Sequence, residues 1–314
     1  MQATVPFVHG LIDAQASAWL EAMRSAAPDL DFRFLSDVSA QERKEVEVAV
    51  VANPEPATLA ELPKLKWVQS LWAGVDRILR EMPDPSVQIV RLIDPQLGET
   101  MAEAVLAWTL YLHRDMPRYA AQQRDRLWVQ HDLPTAAERS VGLLGLGHLG
   151  QSAADRLKKN GFTVRGWSRS AKQIPEVATF DGADGLAEIA RTSDILVVLL
   201  PSTPQTRGLL GHGFFADMKP GASLINFARG DILVQDALTA GLEARLVDHA
   251  VLDVFMVEPL PETDLLWSNP NVTILPHISA PTNKRSASAV VARNLTTYFT
   301  DRHMPVPVSR DAGY

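Results

Sequence analysis

Apolar and polar positions along this chain follow one repeating order: a short apolar run, a turn, then a stretch with apolar residues three and four apart. Val5-Pro6-Phe7-Val8 predicts a strand, and Ala14 to Ala26 carries Trp19, Leu20 and Met23 at helical spacing. Asp31-Phe32-Arg33-Phe34-Leu35 alternates at period two, and Val46 to Val51 is a clearer strand. Trp67 to Ser70 and Val87 to Arg91 complete the strands of the first hundred residues, with a helix beginning near Val75. A longer helix is predicted from near Glu99 through Glu103, Val105, Leu106, Trp108, Thr109 and Tyr111. Its apolar and small residues cover more than one face, so burial is expected, inside the chain or in a dimer interface. Asp125 to Pro134 reads as a loop or arm with Trp128 as its anchor.

The second half repeats the order more strictly. Val141 to Leu144 is a buried strand that runs into Gly145-x-Gly147-x-x-Gly150, and a helix follows from Leu149 to Lys159, stopped by Asn160-Gly161. Further strands are predicted at 162–167, 194–200, 222–226, 250–254 and 272–275, with helices at 186–191 and 234–241. A final helix, Thr282 to Thr300, is expected to return to the first domain. This alternation predicts an α/β protein of two doubly wound parallel sheets. A length of 314 residues suits two domains better than one.

Composition narrows the chemistry. A formal net charge of −7 with no basic block argues against nucleic acid as a partner. With no cysteine there are no disulfides, thiolate nucleophiles or thiolate metal sites. The N-terminal stretch from Met1 to Pro6 lacks the charged and apolar regions of a signal peptide, and no apolar run is long enough to span a bilayer, so a cytoplasmic protein with no membrane partner is expected. No histidine pairing has metal-ligand spacing, so no metal site is expected.

The glycine turn supplies the first chemical clue. Gly145 permits a tight turn, Gly147 lets the backbone approach a pyrophosphate, and Gly150 lets the helix pack close to the strand. The open amides and dipole at the helix N-terminus then favour phosphate charge. His148, in the glycine loop, and Leu149, which opens that helix, join the cofactor-binding positions. The second strand ends in Trp167-Ser168-Arg169-Ser170, with Lys172 beyond. An acid there would hydrogen-bond the ribose hydroxyls of NAD and repel a 2′-phosphate. Instead Arg169 offers a charged fork and Ser168 and Ser170 offer hydroxyls, which predicts NADP(H).

Three further stretches follow: Asn226-Phe227-Ala228-Arg229-Gly230, then Asp253-Val254-Phe255 with Glu258-Pro259-Leu260, then Pro276-His277-Ile278-Ser279-Ala280. Arg229, Glu258 and His277 each lie just past a predicted strand, at the same sheet edge as the glycine turn. Reducing a 2-keto acid needs a hydride donor, an acid for the carbonyl oxygen and a cation for the carboxylate. His277 can supply the proton, Glu258 can stabilise its imidazolium and fix the ring, and Arg229 can clamp carboxylate and polarise the carbonyl.

The order NxARG, DVFxxEPL and PHxxA resembles the D-2-hydroxyacid dehydrogenase family over essentially the whole chain. Trp-Ser-Arg-Ser at 167–170, Leu-Leu-Pro-Ser-Thr-Pro-Gln-Thr at 199–206 and the ending Asp311-Ala312-Gly313-Tyr314 look like its glyoxylate/hydroxypyruvate reductase A branch. The resemblance implies a Rossmann dinucleotide domain, 99–281, inserted in a flavodoxin-like substrate domain, 1–98 with 282–314. It implies Arg229, Glu258 and His277 as the catalytic set and a nicotinamide carboxamide contact for Asp253. It places Thr206 near the pyrophosphate and adds Leu200, Pro201, Phe227, Ala228 and Ser279 to the cofactor-binding positions. The substrate carboxylate would lie on the amides of Ala73 and Gly74, beside Trp72, which stands where a small or apolar residue is expected. In that branch NADPH reduces glyoxylate to glycolate and hydroxypyruvate to glycerate, and a homodimer is implied. A dehydrogenase for a larger D-2-hydroxy acid and a dinucleotide-sensing protein without activity are the other readings. The intact Arg229, Glu258 and His277 disfavour the last.

Overall fold

The structure, a computed structural model, describes residues 2–82 and 84–313. Met1, at the head of the N-terminal stretch, and Tyr314, at the end of the terminal tetrapeptide, lie outside the described residues, as does Pro83. The chain divides into two compact units, Met1–Gln96 with Thr282–Tyr314, and Leu97–Pro281.

The first unit carries strands β1 (Thr4–His9), β2 (Asp31–Phe34), β3 (Val48–Ala52), β4 (Trp67–Ser70) and β5 (Gln88–Val90), with helices α1 (Asp13–Ala26), α2 (Ala40–Arg43) and α3 (Asp76–Glu81). All pairs are parallel, in the order β2-β1-β3-β4-β5. This is the flavodoxin-like order. Every residue of β3 and β4 is buried, as a parallel sheet covered on both faces requires.

The second unit takes the chain through α4 (Pro95–His113), which starts at the end of the first unit, and α5 (Met116–Asp125). Then come β6 (Ser140–Leu144), α6 (His148–Lys159), β7 (Thr163–Ser168), β8 (Ala178–Asp181), α7 (Gly182–Thr192) and β9 (Ile195–Val198). The unit closes with α8 (His212–Asp217), β10 (Ala222–Asn226), α9 (Gln235–Glu243), β11 (Val247–Leu252) and β12 (Val272–Ile274). Its seven parallel strands run β12-β11-β10-β9-β6-β7-β8, the doubly wound order with its switch between β6 and β9. Helix α10 (Lys284–Asp301) returns to the first unit and packs on α1, joining Ala287, Val291 and Leu295 to Trp19 and Met23.

Four elements escaped the apolar pattern, the first being α2, a four-residue helix that buries none of its residues. β8 is a four-residue edge strand of mixed polarity, α5 buries none of its residues, and α8 is a six-residue turn. Helix α4 begins at Pro95, ahead of the expected Glu99, because proline suits a first helical turn and the Asp94 carboxylate accepts the Gln96 amide at 3.0 Å. Helix α7 likewise starts earlier than the expected Leu186, at Gly182. Trp128 does not anchor the arm to its own chain, for it is 95% exposed. The arm is held at its base instead, where the Leu127 amide donates to the Gln122 carbonyl at 2.9 Å and the His131 amide donates to the Tyr119 hydroxyl oxygen at 3.1 Å.

Candidate active site

The glycine turn joins β6 to α6. Gly145 turns at φ +111°, and its amide donates to the Trp167 carbonyl at 2.9 Å, tying the turn to β7. A side chain at Gly150 would run into the Gly145 carbonyl, so the helix starts as close to the turn as glycine allows. Gly147 faces open space, with nothing within 4 Å of where a Cβ would stand. No side chain caps α6, so its first amides lie open for an anion. His148 is exposed, and its Nε2 would lie 2.9 Å from a Cβ built on Gly98 of α4, so it also buttresses that helix.

At the end of β7 the Ser168 hydroxyl is buried and donates to the Ser170 carbonyl at 2.8 Å. Ser168 therefore shapes the turn, while Arg169 and Ser170 stand exposed beyond it. Beyond β9, Leu200 is buried, and the Thr206 hydroxyl donates to the Pro201 carbonyl at 2.6 Å while accepting the Thr203 amide at 2.8 Å. That threonine closes the 201–206 loop on itself.

Arg229 follows β10, and its placement begins with a buried neighbour. Asn226 accepts the Ala228 amide at 3.2 Å and donates to the Arg229 carbonyl at 3.2 Å, folding the loop that presents the guanidinium. Phe227 and Ala228 are buried within it. A side chain at Gly230 would collide with the backbone of Phe255 and Met256. The loop bearing Arg229 thus lies directly against the segment leading to Glu258.

Glu258 uses both oxygens. Oε1 accepts the Phe255 amide at 2.9 Å, and Oε2 lies 2.7 Å from His277 Nδ1. A carboxylate only accepts, so Nδ1 carries the proton and Nε2 is left as the outward nitrogen of a half-exposed ring. His277 sits at φ +54°, a backbone conformation held by Asp253. The Asp253 carbonyl accepts the His277 amide at 3.0 Å, and its buried carboxylate accepts the amides of Ile278 at 2.7 Å and Ser279 at 2.9 Å. The arrangement is a positioned acid with a bound orienting carboxylate and a cation on the adjoining loop, suited to protonating an oxygen.

The Rossmann unit also fits a dinucleotide on its own evidence. The Gly147 face is open, the first α6 amides lack a cap, and the Ser279 hydroxyl is buried without a partner among the described residues. No cluster of metal-ligating side chains occurs among the described residues.

In the first unit, the segment after β4 is built by the Trp72 amide donating to Ser70 Oγ at 2.9 Å and the Leu92 amide donating to the Trp72 carbonyl at 3.0 Å. The amides of Ala73 and Gly74 have no backbone acceptor among the described residues. The Trp72 indole leans into the unit's core, edge-on to Trp19 with ring centroids 5.7 Å apart.

Two contributors stood outside the expected site. Asn226 and Gly230 are the first and last residues of the NxARG motif, and that flanking position is the signal that marks them.

Residues 106–279 match the model of the NAD-binding domain of the D-isomer-specific 2-hydroxyacid dehydrogenases. A glyoxylate/hydroxypyruvate reductase A of Photorhabdus laumondii is 36% identical, over 92% of this chain and 93% of its own length. Its counterpart in Yersinia enterocolitica is 38% identical, over 90% and 91%. Among solved structures, a D-isomer-specific 2-hydroxyacid dehydrogenase of Xanthobacter autotrophicus, in complex with NADPH and MES, superposes with a TM-score of 0.92 at 36% identity, covering 99% of this chain and 100% of that one. An NADPH-dependent glyoxylate/hydroxypyruvate reductase of Sinorhizobium meliloti, in complex with NADP and sulfate, gives 0.90 at 33% identity with both chains fully covered. With the glycine turn, the arginine loop and the glutamate–histidine pair in place along one sheet edge, this chain belongs to the family of D-isomer-specific 2-hydroxyacid dehydrogenases.

Proposed function

We propose that the protein is an NADPH-dependent reductase of small 2-keto acids, taking glyoxylate to glycolate and hydroxypyruvate to D-glycerate. The observation that carries this reading is the 2.7 Å contact between Glu258 and His277, beside the Arg229 loop, in a chain so similar to glyoxylate/hydroxypyruvate reductases A. The glycine turn and the first amides of α6 receive the pyrophosphate, and Arg169 with Ser170 receives the 2′-phosphate. When bound, the reduced nicotinamide supplies the hydride for the keto carbon. His277 gives its Nε2 proton to the carbonyl oxygen, and Glu258 stabilises the imidazolium before that transfer and keeps the ring aimed. Arg229 holds the substrate carboxylate and polarises the carbonyl. The amides of Ala73 and Gly74, next to Trp72 in the chain, contribute further donors to the carboxylate. Asp253 serves chiefly by fixing the His277 loop, and its carboxylate retains lone pairs for the nicotinamide carboxamide.

On this reading residues 99–281 form the NADP domain, and residues 1–98 with 282–314 form the substrate domain. The enzyme works in the cytoplasm as a homodimer. The exposed apolar tip of Leu127, Trp128 and Val129, on an arm fixed at its base, supports the dimer.

A panel of 2-keto acids from glyoxylate to phenylpyruvate, run with NADPH and with NADH, tests the proposal. Glyoxylate and hydroxypyruvate with NADPH should give the highest kcat/KM. Arg169→Asp should cost NADPH about 2 kcal/mol, some thirtyfold in affinity, while sparing NADH. NADPH binding without turnover of any 2-keto acid would refute the reading.

A further inference from the structure

The glycine turn is braced from outside by two side chains that converge on one atom. Lys172, four residues beyond β7, donates from Nζ to the Leu146 carbonyl at 2.9 Å. Gln151, in the first turns of α6, donates from Nε2 to the same oxygen at 3.0 Å. Leu146 lies between Gly145 and Gly147, and its own side chain is buried against Gly166 of β7. Lys172 is itself held in place, because its carbonyl accepts the Thr179 hydroxyl of β8 at 2.6 Å. Among the described residues Lys172 forms no ion pair with a carboxylate, and its hydrogen bond to the Leu146 carbonyl is the contact that places its ammonium beside the turn.

The peptide unit explains why this matters. The Leu146 carbonyl and the Gly147 amide belong to one planar trans peptide, so they point in opposite directions. Fixing the oxygen toward Lys172 and Gln151 fixes the Gly147 N–H away from them. Gly147 has no backbone acceptor for that N–H among the described residues, and its α-carbon faces open space. A glycine-flanked peptide is otherwise the most easily rotated in the turn.

We infer that Lys172, with Gln151 as its second, is a positioning residue for the cofactor: by pinning the Leu146 carbonyl it holds the Gly147 amide ready for the dinucleotide pyrophosphate. This rests on the dinucleotide reading above. It gives Lys172 a role distinct from that of Arg169, because the pyrophosphate is common to NADPH and NADH whereas the 2′-phosphate is not.

The test is direct binding of NADPH and NADH, followed by calorimetry, to the wild-type protein and to Lys172→Met, Lys172→Arg and Gln151→Leu, with melting temperatures of each unliganded protein. Lys172→Met should weaken both dinucleotides by about tenfold and leave their ratio unchanged, as expected for losing one charge-assisted hydrogen bond behind the turn. Gln151→Leu should weaken both by a smaller factor. Lys172→Arg, which can still donate to the carbonyl, should restore most of the affinity. Loss of NADPH affinity alone would make Lys172 a 2′-phosphate contact and overturn the brace, as would unchanged binding of both. A wild-type protein that binds neither dinucleotide would sink the underlying reading rather than the brace. A fall in melting temperature together with binding would mark Lys172 as merely structural.

Discussion

The two edges of the β6–β12 sheet use polar residues in opposite ways. At the carboxyl edge they are left open. His277 sits at positive φ with its ring half exposed, Gly147 has an unused amide, and the Ser279 hydroxyl is buried without a partner among the described residues. Toward the amino edge several are closed off in pairs. The Ser140 amide donates to Asp194 Oδ2 at 2.8 Å, Lys219 Nζ reaches Oδ1 at 2.6 Å, and the buried His249 ring lies 2.8 Å from the Thr273 hydroxyl. The same strands therefore carry an ion pair and its hydrogen bonds toward one end and groups open to a ligand at the other. Groups that must bind a ligand cannot already be saturated, and the local cost is borne by the rest of the fold.

The sharpest way to break this contrast is to remove the open acid. His277→Ala should lower kcat by about a thousandfold, within the range for a lost general acid, while NADPH affinity and melting temperature stay near wild type. Single-turnover oxidation of NADPH, compared with equilibrium binding, separates the two effects. Parallel losses of rate, affinity and stability would place His277 with the structural residues of the opposite edge.

The next largest effect belongs to that opposite edge. Burial disfavours the His249 imidazolium and pulls its pKa down to about 4. An unfolded chain binds the proton near pH 6.5, so below that value it takes up a proton that the folded protein refuses. Stability from this group is complete above pH 6.5 and falls as the pH drops toward 4, by about 3 kcal/mol in all. His249→Gln should flatten that decline in urea midpoints measured at pH 7, 5.5 and 4.5, with kcat unchanged at pH 7. An identical pH slope in the variant would refute the assignment.

The difference between the edges also decides what was legible in the sequence. Gly145, Gly147 and Gly150 stood out because a turn that approaches phosphate needs glycine at fixed spacing, and Arg229, Glu258 and His277 stood out because each follows an apolar strand. The long apolar runs fixed the parallel sheets for the same reason: β3, β6 and β10 have no exposed residue to interrupt them. What stayed hidden depends on partners far apart in the chain. Asp194 meets Lys219 across 25 residues and Ser140 across 54, and no local pattern announces either. Asp253 was legible as a site residue, but its hold on the Ile278 and Ser279 amides appears only once β11 and the loop after β12 lie side by side. Trp128 misled because burial was assigned from residue type, whereas the side chain stands 95% exposed on its arm.

The smallest effect is the most discriminating for the closed edge. Burial pushes the Asp194 carboxyl up, but the Lys219 ammonium and the Ser140 donors outweigh it and hold it below the ordinary carboxylate range. Asp194→Asn keeps an oxygen for the Ser140 amide and removes the charge and the acceptor that face Lys219, which is half exposed to water. A cost of about 1 kcal/mol at pH 7 follows, well under that of breaking a fully buried pair. Because the folded-state pKa is depressed, this contribution is present above the unfolded value near 4 and disappears as the pH falls through the folded one. Chemical denaturation at pH 7 and at pH 3.5 should therefore show a deficit that narrows in acid, the reverse of His249→Gln, whose relative stability rises there. The kcat of Asp194→Asn should match wild type, since the altered charge lies at the opposite end of the strands from His277. A drop in kcat without a loss of stability would mean that the two edges are not separate in function.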